Sequence, residues 1–465
     1  MISVTPLDHH SLWQDEVMRD TVSQSRLAGD TRADVAIVGG GYVGLWTALR
    51  IREQAPDCDV AVIEAGLCGS GSSGRNGGQA HAWWSVLGSL IAICGAPEAV
   101  RICRASDAAL DDLEALDAHS PTGFDFRRDG WLWTATTPAQ VGAWDATLEL
   151  CHRYDVAPYR PLDRDELLAR TGSSVHLAGI AEERAGTLQP ARLVAALRTR
   201  ALASGVRIYE HSPVQRLDRD GPPRLHTPDG AISADRVVLA TNAWAAALPE
   251  LRRRLLVVSS EIVATGPIRE RLDAIGWRGG EAICDSQQRV LYYQATPDGR
   301  VVFGRGGGHV SAAGRVTGAF ARQSRWAADA EAAFRRVYPM LGDVPIVTDW
   351  SGPIDRSFTG LPMFGRLNGN ERIFYGVGWS GTGVGPASVG GRILASLALG
   401  IDDEWSGCGL VEQWPAERFP PAALQAVGAP IVRAAVRRQA RAHDAGRAPS
   451  RVAAAIANLV PGQRR

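Results

Sequence analysis

The chain has 465 residues, 45% apolar and 22% charged, an ordinary globular composition that excludes wholesale disorder. Its 50 basic and 50 acidic residues cancel, so overall charge predicts neither a nucleic-acid nor a membrane-surface partner. No lysine occurs among the basic residues, which excludes a lysine Schiff base or a lysine general base.

Seven cysteines, at 58, 68, 94, 103, 151, 284 and 408, form no CxxC pair and read as reduced thiols of a cytoplasmic protein. The N-terminus is acidic and lacks a basic stretch followed by an apolar core, so no secretory signal is expected. No apolar run reaches the roughly 18–20 residues of a membrane helix, so no membrane insertion is expected. No metal site is expected either.

Residues 1–31 read as a polar, partly aromatic lead-in. DVAIVG then has the continuous apolar run of a parallel strand buried on both faces. LWTALRIREQ follows with helical spacing, and VAVIEA is a second strand ending in an acid. The loop GLCGSGSSGRNGGQ is too glycine-dense for helix or strand. Residues 98–119 predict a long amphipathic helix, and FDFRRDGWLWTAT a hairpin turning at Asp129-Gly130. The α/β rhythm returns over 189–240 with the helix PARLVAALRTRALAS, the strand VRIYEHSPV, a hairpin at Asp229-Gly230 and the strand DRVVLAT. LLVVSSEIVAT, RVLYYQAT and GRVVFGRGG are strand-like, and RWAADAEAAFRRVYP is helical. RIFYGVGW, the loop SGTGVG and the helix PASVGGRILASLALG close the series. The last 45 residues hold eight arginines and one acid, Asp444. They read as a solvated or surface-packed terminal helix, with docking on an anionic partner as the other reading.

Gly39-Gly40-Gly41-Tyr42-Val43-Gly44, between strand and helix, is a dinucleotide-binding fingerprint. Gly39 permits the tight turn, Gly41 lets backbone approach a pyrophosphate, and Gly44 allows close helix–strand packing. The helix N-terminus offers N–H groups and a positive dipole to the phosphates. Glu64, followed by Ala65, lies 20 residues past Gly44, where a carboxylate can hold a ribose. This fingerprint alone does not separate NAD from FAD. Two later turns, in VVLATNAW (with Thr241 and Asn242) and in GVGWSGTGVG, each follow an apolar strand and together favour the larger cofactor, FAD.

On VAIVGGGYVGLWTALRI, VIEAGLCGSGSSGRNGGQ, LQPARLVAAL, VVLATNAW and GVGWSGTGVGPASVGGRILASLALG, the chain resembles the D-amino-acid oxidase superfamily of FAD-dependent oxidoreductases. It is most similar to the branch of γ-glutamylputrescine oxidoreductase-like and aminophosphonate oxidoreductase-like proteins. The likeness runs from about residue 10 to beyond 440 and does not fix the substrate. It implies that Ser73, Gly74, Arg75, Asn76, Gly77 and Gly78 run beside flavin and pyrophosphate, and that the strand around Val214 packs near the adenine. It also implies that the loop holding Gly378, Gly381, Thr382 and Gly383 approaches the flavin ring. Relatives with covalent flavin attach it through a histidine near the position held here by Arg75, so non-covalent FAD is expected. Sarcosine oxidase-like members use a lysine to promote reaction with oxygen; its absence leaves oxygen or another electron acceptor open.

The expected fold is α/β, a Rossmann-type FAD-binding domain (1–105, 185–250, 345–415) with a discontinuous, mainly antiparallel α+β substrate domain (106–184, 251–344) and a basic tail (416–465). The expected reaction is oxidation of the C–N bond of a small amine or amino acid-like substrate. Hydride transfer to flavin gives an imine, which is hydrolysed to a carbonyl compound; an aminophosphonate or ω-amine is the finer expectation. His81, Tyr293, Arg305 and Trp350 are the substrate-site candidates, and only one of Tyr292 and Tyr293 can face a cavity. The alternatives are a dehydrogenase with a non-oxygen acceptor and a flavin-binding subunit docked to a protein partner.

Overall fold

Strand β1 (Gly29–Val38) buries Val35 to Val38 without interruption, because both faces of its sheet are covered. Val35 and Ile37 enter one apolar cluster, Ala36 and Val38 the cluster on the other side. The computed structural model describes residues 7–311, 313–322 and 324–460, so the ends of the expected lead-in and tail lie outside the described residues. Helix α2 (Tyr42–Gln54) follows β1 at once, and strand β2 (Val60–Ile63) returns parallel to it. Gly230–Leu239 pairs parallel to β1 on its other side, and Ile373–Val377 extends the sheet beyond it. Arg207–Tyr209 pairs with β2, and Met363–Arg366 pairs antiparallel with Ile373–Val377. Arg224–His226 and then Arg216–Asp218 attach antiparallel through the turn at Asp229-Gly230, giving eight strands among the described residues.

Helix α2 is buried nearly all round because it lies between this sheet and the helix Ala387–Leu399. A Cβ on Gly391 would stand 2.7 Å from that of Trp46, so this glycine sets how closely the two helices approach.

A second sheet of eight strands runs in the order 346–357, 255–265, 301–311, 291–295, 282–285, 131–135, 178–182, 160–162. Every pairing in it is antiparallel except that of Ala282–Asp285 with Trp131–Ala135. The helix Ser324–Val337 covers its outer face, over Phe303, Tyr293 and Val263.

Four expectations change. Trp131–Ala135 pairs with residues 178–182 and 282–285, while Arg127 bridges to Thr187, so residues 124–136 form no hairpin. Ile346–Ser357, expected with the nucleotide-binding sheet, is the edge strand of the second sheet, since it pairs along its length with Leu255–Thr265. Ala96–His119, half assigned to the substrate domain, packs Leu110, Leu113 and Leu116 into the core beside α2. Only Arg207–Tyr209 of VRIYEHSPV is strand; Val214 lies in the coil after it. The described part of the tail is two helices, Ala422–Asp444 and Arg451–Ala457.

Candidate active site

Between the sheets lies one cavity of about 1130 Å³, running from the C-terminal end of β1 to the tail helices. It begins at the turn into α2. Gly39 has φ +114°, and a Cβ there would meet the carbonyl of Ala240 at 2.5 Å. A Cβ on Gly44 would strike the carbonyl of Gly39, so helix and turn approach only through a glycine. Gly41 faces the cavity, and its Cβ would lie 2.8 Å from Ser73 Oγ. The first turn of α2 has no helical acceptors for its amides, and its dipole favours an anion. Glu64 is spent partly on the turn itself: Gly40 N donates to Oε2 at 2.8 Å and Gly66 N to Oε1 at 2.9 Å. Burial raises its pKa against the effect of these donors.

The glycine-rich loop is held from beneath by an element the sequence reading left as a lead-in. Helix α1 (Leu12–Met18) is capped by Ser11, whose hydroxyl also donates to Gly74 O at 2.6 Å. Trp13 Nε1 donates to Asn76 O at 2.9 Å, and Gln14 Nε2 donates to Gly69 O and Ser70 O. Arg75 lines the cavity, but its guanidinium is committed to protein carbonyls. Its guanidinium donates to the carbonyls of His9, Ser70 and Ser351, and burial pushes its pKa down to about 10. Asn76 braces the loop by donating to Ser73 O and Tyr42 OH and accepting from Gly78 N.

The third wall joins the two later turns. Gly378 N and Trp379 N donate to the buried carboxylate of Asp355, at 2.6 and 3.0 Å. Asn242 Nδ2 donates to the same carboxylate, and Ser72 Oγ donates to Asn242 Oδ1 at 3.0 Å. Desolvation lifts the Asp355 pKa to about 7, opposed by its amide donors. This residue escaped the sequence reading; the one available signal was an acid inside the strand-like run after Trp350.

Of the expected cofactor residues, Gly39, Gly41, Tyr42, Val43, Glu64, Ala65, Ser73, Arg75, Asn76, Gly77, Val214, Thr241, Asn242, Gly381, Thr382 and Gly383 line the cavity. Gly44, Gly74, Gly78 and Gly378 stand behind it and shape the turns.

The substrate candidates divide differently. His81 lines the cavity, stacked on Trp131 with ring centroids 4.7 Å apart, and burial lowers its pKa. Tyr293 does not line it. The residue points to the helix-covered face, stacks on Phe303 and bonds His176 through its hydroxyl. Strand alternation gives the cavity to Tyr292, which lies against Gly77 and Gly304 and shares a 2.7 Å hydrogen bond with Ser260. Arg305 shares the parity of Phe303 and is likewise turned outward, 3.7 Å from Asp444. Trp350 is buried beneath the loop, with Nε1 donating to Arg75 O and Trp13 packed edge-on. Neither Arg305 nor Trp350 reaches the cavity wall.

Trp131, Trp133, Asp285 and Arg356, none of them expected from the sequence, also line the cavity. Arg356 is the unusual one. Its Nε is buried without a hydrogen-bond partner, no carboxylate pairs with it among the described residues, and burial lowers its pKa.

Residues 34–397 match the family described as FAD dependent oxidoreductase. The chain belongs to that family. A probable oxidoreductase OrdL of Haemophilus influenzae is 28% identical over 389 residues, spanning 80% of this chain and 84% of its own. The γ-glutamylputrescine oxidoreductase of Escherichia coli is 27% identical, spanning 85% of this chain and 89% of its own. Among solved structures, glycine oxidase from Geobacillus kaustophilus superposes with a TM-score of 0.65 at 22% identity, covering 80% of this chain and 96% of that one. The fold and the cofactor expectation, FAD, are thereby borne out. The cavity fits it: a cradle at Gly41 that a Cβ would narrow, a helix N-terminus with no capping side chain at Gly41, and an acid at the end of β2.

Proposed function

We propose that the chain oxidises the C–N bond of a small amine or amino acid-like substrate whose far end is anionic, a carboxylate or phosphonate. Bound FAD, held non-covalently, supplies the two-electron acceptor for this oxidation. The protein's own contribution is position and charge. Gly41, the first turn of α2, Glu64, Ser73 and the loop Gly381–Gly383 hold the cofactor. Trp131, Trp133 and Tyr292 exclude water from the wall beside His81. With Nδ1–H donated to Ala82 O at 3.0 Å, His81 keeps Nε2 as an acceptor. Its lowered pKa keeps the ring neutral near pH 7, so Nε2 can accept a hydrogen bond from the substrate nitrogen and help orient it.

The observation that carries the substrate reading is Arg356. A guanidinium that faces a cavity with its Nε buried and unpartnered, and with no counter-ion among the described residues, is best completed by an anion, and its planar fork suits a carboxylate or phosphonate. The γ-glutamylputrescine oxidoreductase likeness supports the amine half of the reading. An aminophosphonate or ω-amine is the finer form of the proposal.

The test is the absorbance spectrum of purified protein, followed by anaerobic addition of 2-aminoethylphosphonate, putrescine derivatives, glycine and sarcosine. Bleaching of the flavin bands by amines carrying an acid, with a KM at least tenfold higher in Arg356→Met, is expected. Bleaching only by amines without an acidic group would defeat the assignment of Arg356.

The missing lysine favours a second reading, a dehydrogenase passing electrons to an acceptor other than oxygen. Turnover that needs an added dye and is indifferent to oxygen pressure would decide for it.

A further inference from the structure

Eleven large apolar side chains are well exposed among the described residues, and five of them fall in the tail: Leu424, Val427 and Ile431 in its long helix, Val452 in its short one and Leu459 in the turn just after it. They are 53–69% exposed. In Ala422–Asp444, Leu424, Val427 and Ile431 recur at i, i+3 and i+7, on one side of the helix. Arg438 and Arg441, also exposed, continue that side toward the C-terminus. Exposed Arg447 and Arg451 follow at the junction with the second helix. Residues 421–460 hold six arginines and a single acid in a chain whose net charge is zero.

The opposite side of the long helix is firmly attached. Ala435 and Val436 pack against Ala457 of the short helix, and Arg437 lies over Trp326 with its guanidinium 4.8 Å from the ring. Asp444, the one acid, faces inward: it accepts from Gln287 and pairs with Arg336 and Arg305. The outward side is left apolar and cationic, with no carboxylate on it.

We propose that this side docks on an anionic lipid bilayer, lying in the interface without crossing it. The apolar residues enter the headgroup boundary and the arginines meet lipid phosphates, as in amphipathic interfacial helices. No helix among the described residues is long and apolar enough to span a membrane, which fits a peripheral mode. Charge favours an anionic surface over a second copy of the chain, because the matching face of a second copy carries the same arginines and no acid to pair with them. Leu424 and Leu459 also line the cavity, so the docked face carries the cavity's rim.

The full-length, FAD-loaded protein is sedimented with vesicles of phosphatidylglycerol and phosphatidylcholine, and with vesicles of phosphatidylcholine alone. Binding to the anionic vesicles, weakened by salt, is expected. Val427→Glu with Ile431→Glu, and separately Arg438→Glu with Arg441→Glu, should each lower the partition at least tenfold while flavin absorbance and turnover in solution stay unchanged. Neither pair touches the cavity wall. No binding to anionic vesicles, binding that survives either pair, or a dimer that the apolar pair converts to a monomer by light scattering would overturn the proposal.

Discussion

Asn242 donates its side-chain amide to Asp355 Oδ1 at 3.0 Å, linking a turn of the nucleotide-binding sheet to the edge strand of the second sheet. Gly378 N and Trp379 N close on the same carboxylate, so one buried acid ties both cofactor turns together. Asp355→Asn keeps one acceptor oxygen and turns an N–H₂ toward a donor, a loss of about 1–3 kcal/mol. Lower thermal stability and weaker FAD retention are expected, read by Tm and by cofactor release on dilution.

The same acid makes a pH prediction. Its pKa is raised on folding from 3.8 to about 7, so the folded state holds its proton more tightly than the unfolded one. The stabilisation linked to this proton is fully present below about pH 4 and is lost as pH rises through about 7. The Tm difference between wild type and Asp355→Asn should therefore shift against the wild type across that window. A difference that is flat or grows in the wild type's favour would contradict the assignment.

Two glycines of one fingerprint should fail in different ways. Gly44→Ala drives a methyl into the Gly39 carbonyl, a backbone clash that ordinary relaxation does not relieve, and should destabilise the fold by roughly 1–3 kcal/mol or more. Gly41→Ala meets only the Ser73 hydroxyl but intrudes on the cavity. Apoprotein Tm should be nearly unchanged there, with FAD affinity down at least tenfold by fluorescence titration.

Adjacent tyrosines should separate stability from catalysis. Tyr293→Phe loses the hydrogen bond to His176 in the core, at a cost of about 1 kcal/mol, and should leave kcat and KM unaltered. Tyr292→Phe loses the Ser260 partner at the cavity wall and should change kcat/KM with little effect on Tm.

The N-terminal helix should control cofactor residence. Gln14 is fully buried and donates to Gly69 O and Ser70 O, so Gln14→Ala strips both carbonyls of a partner. Faster FAD dissociation, with a stability loss of about 1–3 kcal/mol, is expected from stopped-flow release and thermal melts.

The turn from Gly39 to Gly44, Glu64 at the end of β2 and the parallel strands around them were legible in the sequence, because they are local. A strand buried on both faces needs a continuous apolar run, and a phosphate turn needs glycines at fixed spacing. Asp355, Arg356, Tyr292 and Gln14 were decided by tertiary structure. Whether a strand residue faces the cavity or the covering helix depends on the pairing register, and a one-residue shift exchanges Tyr292 for Tyr293. Arg305 and Arg356 look alike as arginines in strands. Only the packing of the helix Ser324–Val337 and the tail helices gives the first a protein partner and leaves the second facing the cavity without one.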